Sequence, residues 1–173
     1  KILRSQGMNI LPHQREKNSE WEYDIIDLGY NYRLDEIRSA LGFSQSRRIN
    51  SANNARIRIA KKYNNFLKNV KGIKIPIIKN NRNHIFHLYT IKITDDFPIS
   101  RNELFKKLTK QNIGTSVQYK PLHLMTYYKK NFPQTQDDFP ISNIIKDQIL
   151  CLPIYPSMTD KQIRYVVNAI ISD

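Results

Sequence analysis

From Leu34 onward the apolar positions recur at three- and four-residue intervals: Leu34, Ile37 and Leu41, then Ala52, Ala55, Ile59, Tyr63, Phe66 and Leu67. One helical face requires that spacing, so it predicts one or two long helices. Gly72 stops the pattern near a helix C-terminus, and Pro76 follows as a residue that cannot continue it. Residues 85–93 are dense in β-branched and aromatic side chains, including Phe86, Tyr89, Thr90 and Ile91, and have the length of a buried strand. Ser100 and Glu103 stand at capping-box spacing just before Leu104, Phe105 and Leu108. Thr159 and Gln162 repeat that logic before Ile163, Val166, Val167 and Ile170, so the chain should finish with an amphipathic helix. Residues 115–119 and 149–152 are strand candidates between these helices. Upstream, residues 1–28 mix Pro12, His13, charged groups and the Trp21/Tyr23 pair without a steady period, and read as an irregular connection.

The hexapeptide Asp95-Asp96-Phe97-Pro98-Ile99-Ser100 returns at residues 137–142. The flanks share nothing further, whereas acidic turn residues, a proline and a serine N-cap are what a helix entrance favours, so both copies are read as helix starts rather than as a duplication. Helices alternating with short strands give an α/β or α+β layered domain, a small sheet covered by helices.

Composition narrows the class. The chain has 173 residues, 40% hydrophobic and 25% charged, with five glycines, which excludes collagen-like and wholly disordered readings. No run approaches the roughly 18–20 apolar residues of a membrane span, and the opening Lys1-Ile2-Leu3-Arg4 lacks a signal-peptide layout, so a cytoplasmic protein with no membrane partner is expected. Cys151 is the single cysteine, which leaves no intrachain disulfide and no cysteine-based zinc cluster. A start at Lys1 rather than methionine suggests a longer parent chain. The net charge of +13 would attract nucleic acid or phosphorylated small molecules. Lys, Ile and Asn make up about a third of the residues, however, and the basic side chains never form a run of five, so general usage explains the charge better than a dedicated patch.

Candidate chemistry is concentrated in two polar, aromatic segments. In Gly29-Tyr30-Asn31-Tyr32-Arg33, ahead of the long helix, Asn31 can cap and Arg33 can grip a phosphate or carboxylate. In Ser116-Val117-Gln118-Tyr119-Lys120-Pro121-Leu122-His123, a strand exit carries amide, phenol, ammonium and imidazole groups toward a proline-shaped loop, a plausible substrate-facing edge. His84 and His87 would point to opposite faces of a strand, so no metal site is expected. No Gly-rich phosphate loop is present.

Taken in order, these motifs resemble the DegT/DnrJ/StrS sugar aminotransferases. The resemblance rests on Leu3-Arg4-Ser5-Gln6-Gly7-Met8, on Leu28-Gly29-Tyr30-Asn31-Tyr32-Arg33-Leu34-Asp35-Glu36-Ile37, on His84-Ile85-Phe86-His87-Leu88-Tyr89, on the stretch from Gly114 to His123, and on Leu152-Pro153-Ile154-Tyr155-Pro156-Ser157-Met158-Thr159-Asp160. It covers essentially the whole chain. It implies the C-terminal portion of an aspartate-aminotransferase-like, type I pyridoxal-phosphate fold, with residues 1–48 as the end of the large cofactor domain and an interface helix and residues 49–173 as the small domain. The implied cofactor is pyridoxal 5'-phosphate, with Asn31 reaching the neighbouring subunit's cofactor phosphate across a homodimer interface and Arg33 beside it. Gln118, Tyr119 and His123 are implied near the sugar nucleotide. Gln118 stands where many relatives carry histidine, which keeps hydrogen-bonding capacity but removes a titratable group; Gln6 likewise stands where histidine is common.

The implied activity of the parent is transfer of an amino group from glutamate or glutamine to a nucleotide-linked keto-deoxysugar, as in polysaccharide or amino-sugar biosynthesis. The Schiff-base lysine belongs to the upstream half, so no catalytic residue is assigned here and the chain alone is expected to be inactive. Rivals are a same-fold sugar dehydratase or regulatory relative, a stand-alone small domain, and a nucleic-acid-binding module using Arg47, Arg48, Arg56, Arg58, Lys61 and Lys62.

Overall fold

The structure, a computed structural model, describes residues 2–10, 14, 15, 17, 21–132 and 138–172. It divides into two compact units, Lys1–Arg48 and Ile49–Asp173. Pro12, His13 and Asp137, used in the sequence reading, lie outside the described residues.

In the first unit, two segments pair antiparallel through bridges between Ser5 and Asn31 and between Met8 and Ile25. The Gln6 amide donates to the Tyr30 carbonyl at 3.0 Å, the Tyr32 amide to Arg4 at 3.0 Å and the Ile26 amide to Gly7 at 2.9 Å. The close approach depends on two glycines. Gly7 sits at φ +75°, and a Cβ on Gly29 would fall 2.0 Å from the Gly7 nitrogen, which no larger residue could accommodate without separating the strands. Gln14, Arg15 and Lys17 carry helical backbone within the stretch expected to be irregular. Helix α1 (Glu36–Ser46) follows. Its N-cap is Asp35, whose carboxylate accepts from the Arg38 amide at 2.8 Å. This corrects the expectation that Asn31 caps: Asn31 lies four residues earlier, in extended pairing, and Asp35 already satisfies the helix entrance.

The second unit contains α2 (Ile49–Leu67), β1 (Ile73–Lys74), β2 (Tyr89–Ile93), α3 (Arg101–Lys110), a single 3-10 turn (Leu122–Leu124), α4 (Thr126–Asn131), α5 (Pro140–Gln148), β3 (Ile149–Leu152) and α6 (Asp160–Ile171). The sheet has the order β1-β2-β3, antiparallel throughout, with Ile73 opposite Ile93 and Tyr89 opposite Leu152. Its apolar side chains Tyr89, Ile91, Ile93 and Leu150 join Tyr63 and Leu67 of α2, Leu104 and Leu108 of α3, and Ile163 and Ile170 of α6 in one core. The chain therefore forms the small sheet with covering helices that its alternation of elements implies.

Both capping boxes form: Ser100 with Glu103 opens α3 and Thr159 with Gln162 opens α6. Hydrogen bonds from Ser100 hold the Glu103 carboxyl below the usual range. Since that pKa is depressed, the cap's contribution is present at neutral pH and is lost as pH falls through it. The repeated hexapeptide starts a helix twice, but in two registers. In the first copy Ser100 is the N-cap because Glu103 follows at N3; in the second Phe139 is the N-cap, Pro140 occupies the first turn and Ser142 lies inside α5.

Two strands are shorter than expected. The 85–93 run is a strand only over Tyr89–Ile93, because the partner beyond Leu152 is Pro153, which has no N–H, and because Phe86 turns to φ +52° with its amide donating to His84 Nδ1 at 2.9 Å. The 115–119 candidate reduces to one bridge, Ser116 with Cys151. The next outward-facing positions on β3 are already engaged. The Ile149 amide donates to Ile145 and its carbonyl accepts from Arg101 Nη1 at 3.0 Å, while the Pro153 carbonyl accepts from the Tyr63 hydroxyl at 3.0 Å.

That Tyr63 hydrogen bond is part of a buried polar arrangement within the core. The Tyr89 hydroxyl donates to Asn64 Oδ1 at 2.6 Å, the Tyr63 and Tyr89 rings lie 4.9 Å apart, and burial pushes both phenols up, so both are neutral donors. Tyr63→Phe leaves the Pro153 carbonyl without its donor and is expected to cost about 1–2 kcal/mol, read as a lower urea midpoint at unchanged slope.

Candidate functional site

The first cluster is the turn at residues 29–33. Successive residues of an extended segment point to opposite sides, so Tyr30 and Tyr32 share one side and Asn31 and Arg33 the other. The two tyrosine rings stack at 5.1 Å with planes 10° apart. On the opposite side the Asn31 amide makes no hydrogen bond among the described residues, and Arg33 Nη2 donates to Gln6 Oε1 at 3.2 Å. Both Asn31 and Arg33 are exposed. The nearby Asp35 carboxylate is committed to α1 and to Arg38, 3.3 Å away, so it does not neutralise Arg33 through an ion pair.

A neutral amide donor beside a guanidinium fits one edge of a dianionic phosphate, and the chemistry of this donor set is therefore compatible with the phosphate of pyridoxal phosphate. It does not extend to the aldehyde end. Of the 17 lysines in the sequence, only Lys1 and Lys17 precede Asn31.

The second cluster is the loop after Ser116. Gln118 Nε2 donates to Ser116 Oγ at 3.3 Å, and Tyr119 projects outward, 73% exposed. His123 is 9% exposed: its Nε2–H donates to Asn143 Oδ1 at 2.9 Å, and its ring stacks on Phe139 at 4.7 Å. In the neutral ring that contact selects the Nε2–H tautomer and leaves Nδ1 as the acceptor. The Thr115 hydroxyl at the root of the loop is buried without a hydrogen-bond partner. Gln118, Tyr119 and His123 thus share one loop, but no hydrogen bond joins them, and α5 supplies the histidine's partner. Asn143 and Phe139 gave no sequence signal, since the contact spans twenty residues.

The basic residues of α2 do not form a uniformly free face. Lys62 pairs with Asp160, and the Arg56 Nε is buried without a partner. Among the described residues no helix is long and apolar enough to cross a membrane, and no group of three or more His, Cys, Asp or Glu side chains could hold a metal ion.

The architecture is that of solved pyridoxal-phosphate aminotransferases. The Streptococcus pneumoniae protein Spr1654, in its PMP form, superposes with a TM-score of 0.81 at 25% identity, over 98% of this chain and 42% of that one. The chain belongs to the DegT/DnrJ/EryC1/StrS aminotransferase family, whose model matches residues 1–171. An uncharacterized protein of Methanocaldococcus jannaschii is 38% identical over 98% of this chain and 45% of its own length. The UDP-4-amino-4,6-dideoxy-N-acetyl-beta-L-altrosamine transaminase of Campylobacter jejuni (serotype O:2) is 30% identical over 99% of this chain and 43% of its own. The chain therefore spans less than half the length of these relatives, and the match falls in their C-terminal part.

Proposed function

We propose that this chain supplies the cofactor-phosphate edge and part of the substrate pocket of a pyridoxal-phosphate-dependent aminotransferase acting on a nucleotide-linked keto-deoxysugar. The observation that supports it is the pairing of an unengaged Asn31 amide with an exposed Arg33 guanidinium on a turn held by the Gly7–Gly29 approach. Lys1–Arg48 is then the end of the large domain and Ile49–Asp173 the small domain. When bound, the cofactor supplies the carrier for the amino group and the sink for electrons. Arg33 neutralises phosphate charge and Asn31 donates a hydrogen bond to a phosphate oxygen.

In the loop, the Gln118 amide orients sugar or phosphate oxygens without titrating, Tyr119 offers a face and a hydroxyl, and His123 presents Nδ1 as a fixed acceptor. The donor is glutamate or glutamine, the lysine that moves the proton lies upstream, and the protein works in the cytoplasm. A homodimer is part of the same reading, with Asn31 donating to the cofactor phosphate of the neighbouring subunit.

The test is amino transfer by the full-length protein, supplied with pyridoxal phosphate, glutamate or glutamine, and a UDP- or dTDP-linked 4-keto-6-deoxysugar. Aminated sugar nucleotide is expected from the full-length protein and none from the 173-residue chain alone. A full-length protein that binds no pyridoxal phosphate would overturn the reading.

A further inference from the structure

We propose that Gln6 is the positioning residue for Arg33, aiming its guanidinium at an anion while leaving its charge whole. This inference rests on the reading of Arg33 as a phosphate ligand. Gln6 is held in a left-handed conformation, φ +63°, immediately before Gly7 at φ +75°. A non-glycine residue keeps such a backbone only where its surroundings impose it. Here the surroundings are the opposite strand: the Gln6 amide donates to Tyr30 at 3.0 Å, flanked by Tyr30 donating to Leu3 at 2.6 Å and Tyr32 to Arg4 at 3.0 Å. The neighbouring Ser5 is buried, 3% exposed, which anchors the turn from the other side.

The consequence is that the Gln6 side chain meets Arg33, 27 residues further along, with Oε1 accepting from Nη2 at 3.2 Å. An exposed arginine otherwise samples many rotamers, and orienting it in advance removes part of the cost of gripping an anion. One N–H of the five is used, so the rest of the fork remains available. The chemistry of the partner matters as much as its place. A carboxylate at position 6 would hold the guanidinium as firmly but would compensate its charge, and so compete with the anion. A primary amide accepts the hydrogen bond and remains neutral at every physiological pH. Gln6 touches no reacting atom in this role; it acts through Arg33.

The experiment compares binding of pyridoxal phosphate and of pyridoxal, which lacks the phosphate, to the full-length protein and its Gln6→Leu, Gln6→Glu and Arg33→Met variants. Gln6→Leu is expected to weaken pyridoxal phosphate by about tenfold, the size of one lost oriented hydrogen bond, and to leave pyridoxal unchanged. Gln6→Glu keeps the acceptor and the fold, and is also expected to weaken pyridoxal phosphate selectively, through charge compensation. Equal weakening of both ligands by both variants would mean that Gln6 merely supports the fold, and would overturn the proposal. If Arg33→Met weakens pyridoxal phosphate while neither Gln6 variant does, the positioning role fails and Arg33 keeps its part. If Arg33→Met has no effect, the phosphate reading of Arg33 fails and the proposal falls with it.

Discussion

Arg33→Met is expected to weaken retention of pyridoxal phosphate by the full-length protein about 10–100-fold, the range of a charge-assisted hydrogen bond of about 1.5–3 kcal/mol. Arg38→Met is the matched control. It removes the same charge from the same neighbourhood, but Arg38 is tied to Asp35 at the α1 entrance rather than facing outward beside Asn31. If the effect were only the loss of a long-range field, both variants would weaken binding alike, since exposed charges in salt act weakly and without direction. A localised contact weakens one and spares the other. Asn31→Ala should fall between them, because a neutral amide donor contributes less than a guanidinium. Equilibrium dialysis or cofactor fluorescence reads all three.

The second large effect concerns the core of the small domain. Leu67→Ala is expected to cost about 2–5 kcal/mol, since Leu67 is fully buried at the last turn of α2 and deleting its side chain leaves a cavity. That is a large part of the total of about 5–15 kcal/mol typical of a domain. The adjacent Phe66 gives the contrast. It is 37% exposed and lies under the Arg164 guanidinium at 5.4 Å, so Phe66→Ala should cost only about 1 kcal/mol. Chemical denaturation of the two variants distinguishes a core position from a surface one within a single helical turn.

What the sequence made legible was local chemistry. The 3.6-residue period of α2 and the capping boxes at Ser100 and Thr159 depend on neighbours within four residues, and all three appear where the pattern places them. The two strand expectations fail for a non-local reason. Residues 115–119 have strand composition, but whether they pair is decided by Arg101, Ile145 and Tyr63, which occupy or redirect the groups on and beside β3. The 85–93 run is cut where Leu88 would face Pro153, far along the chain. Asn31 has the residue type of a cap ahead of the helix, but Asp35, four residues later, carries it, a difference of local register and not of distant contacts. At the site, Asn31 and Arg33 were visible as residue types in a motif. Their arrangement with Gln6 was not, because it follows from the register between two segments that only Gly7 and Gly29 allow to approach so closely. His123 was visible as a histidine, but the Asn143 contact that selects its protonated nitrogen was not.

The division of labour proposed for this chain, phosphate edge here and reactive amine elsewhere, can be measured in one step. The full-length protein is loaded with pyridoxal phosphate and reduced with borohydride, and the pyridoxyl-labelled peptide is located by mass spectrometry. The label is expected on a lysine upstream of Lys1, with none on the 17 lysines of this chain. A pyridoxyl group fixed stoichiometrically on any of those 17 would contradict it, because the chain would then hold the reactive amine as well.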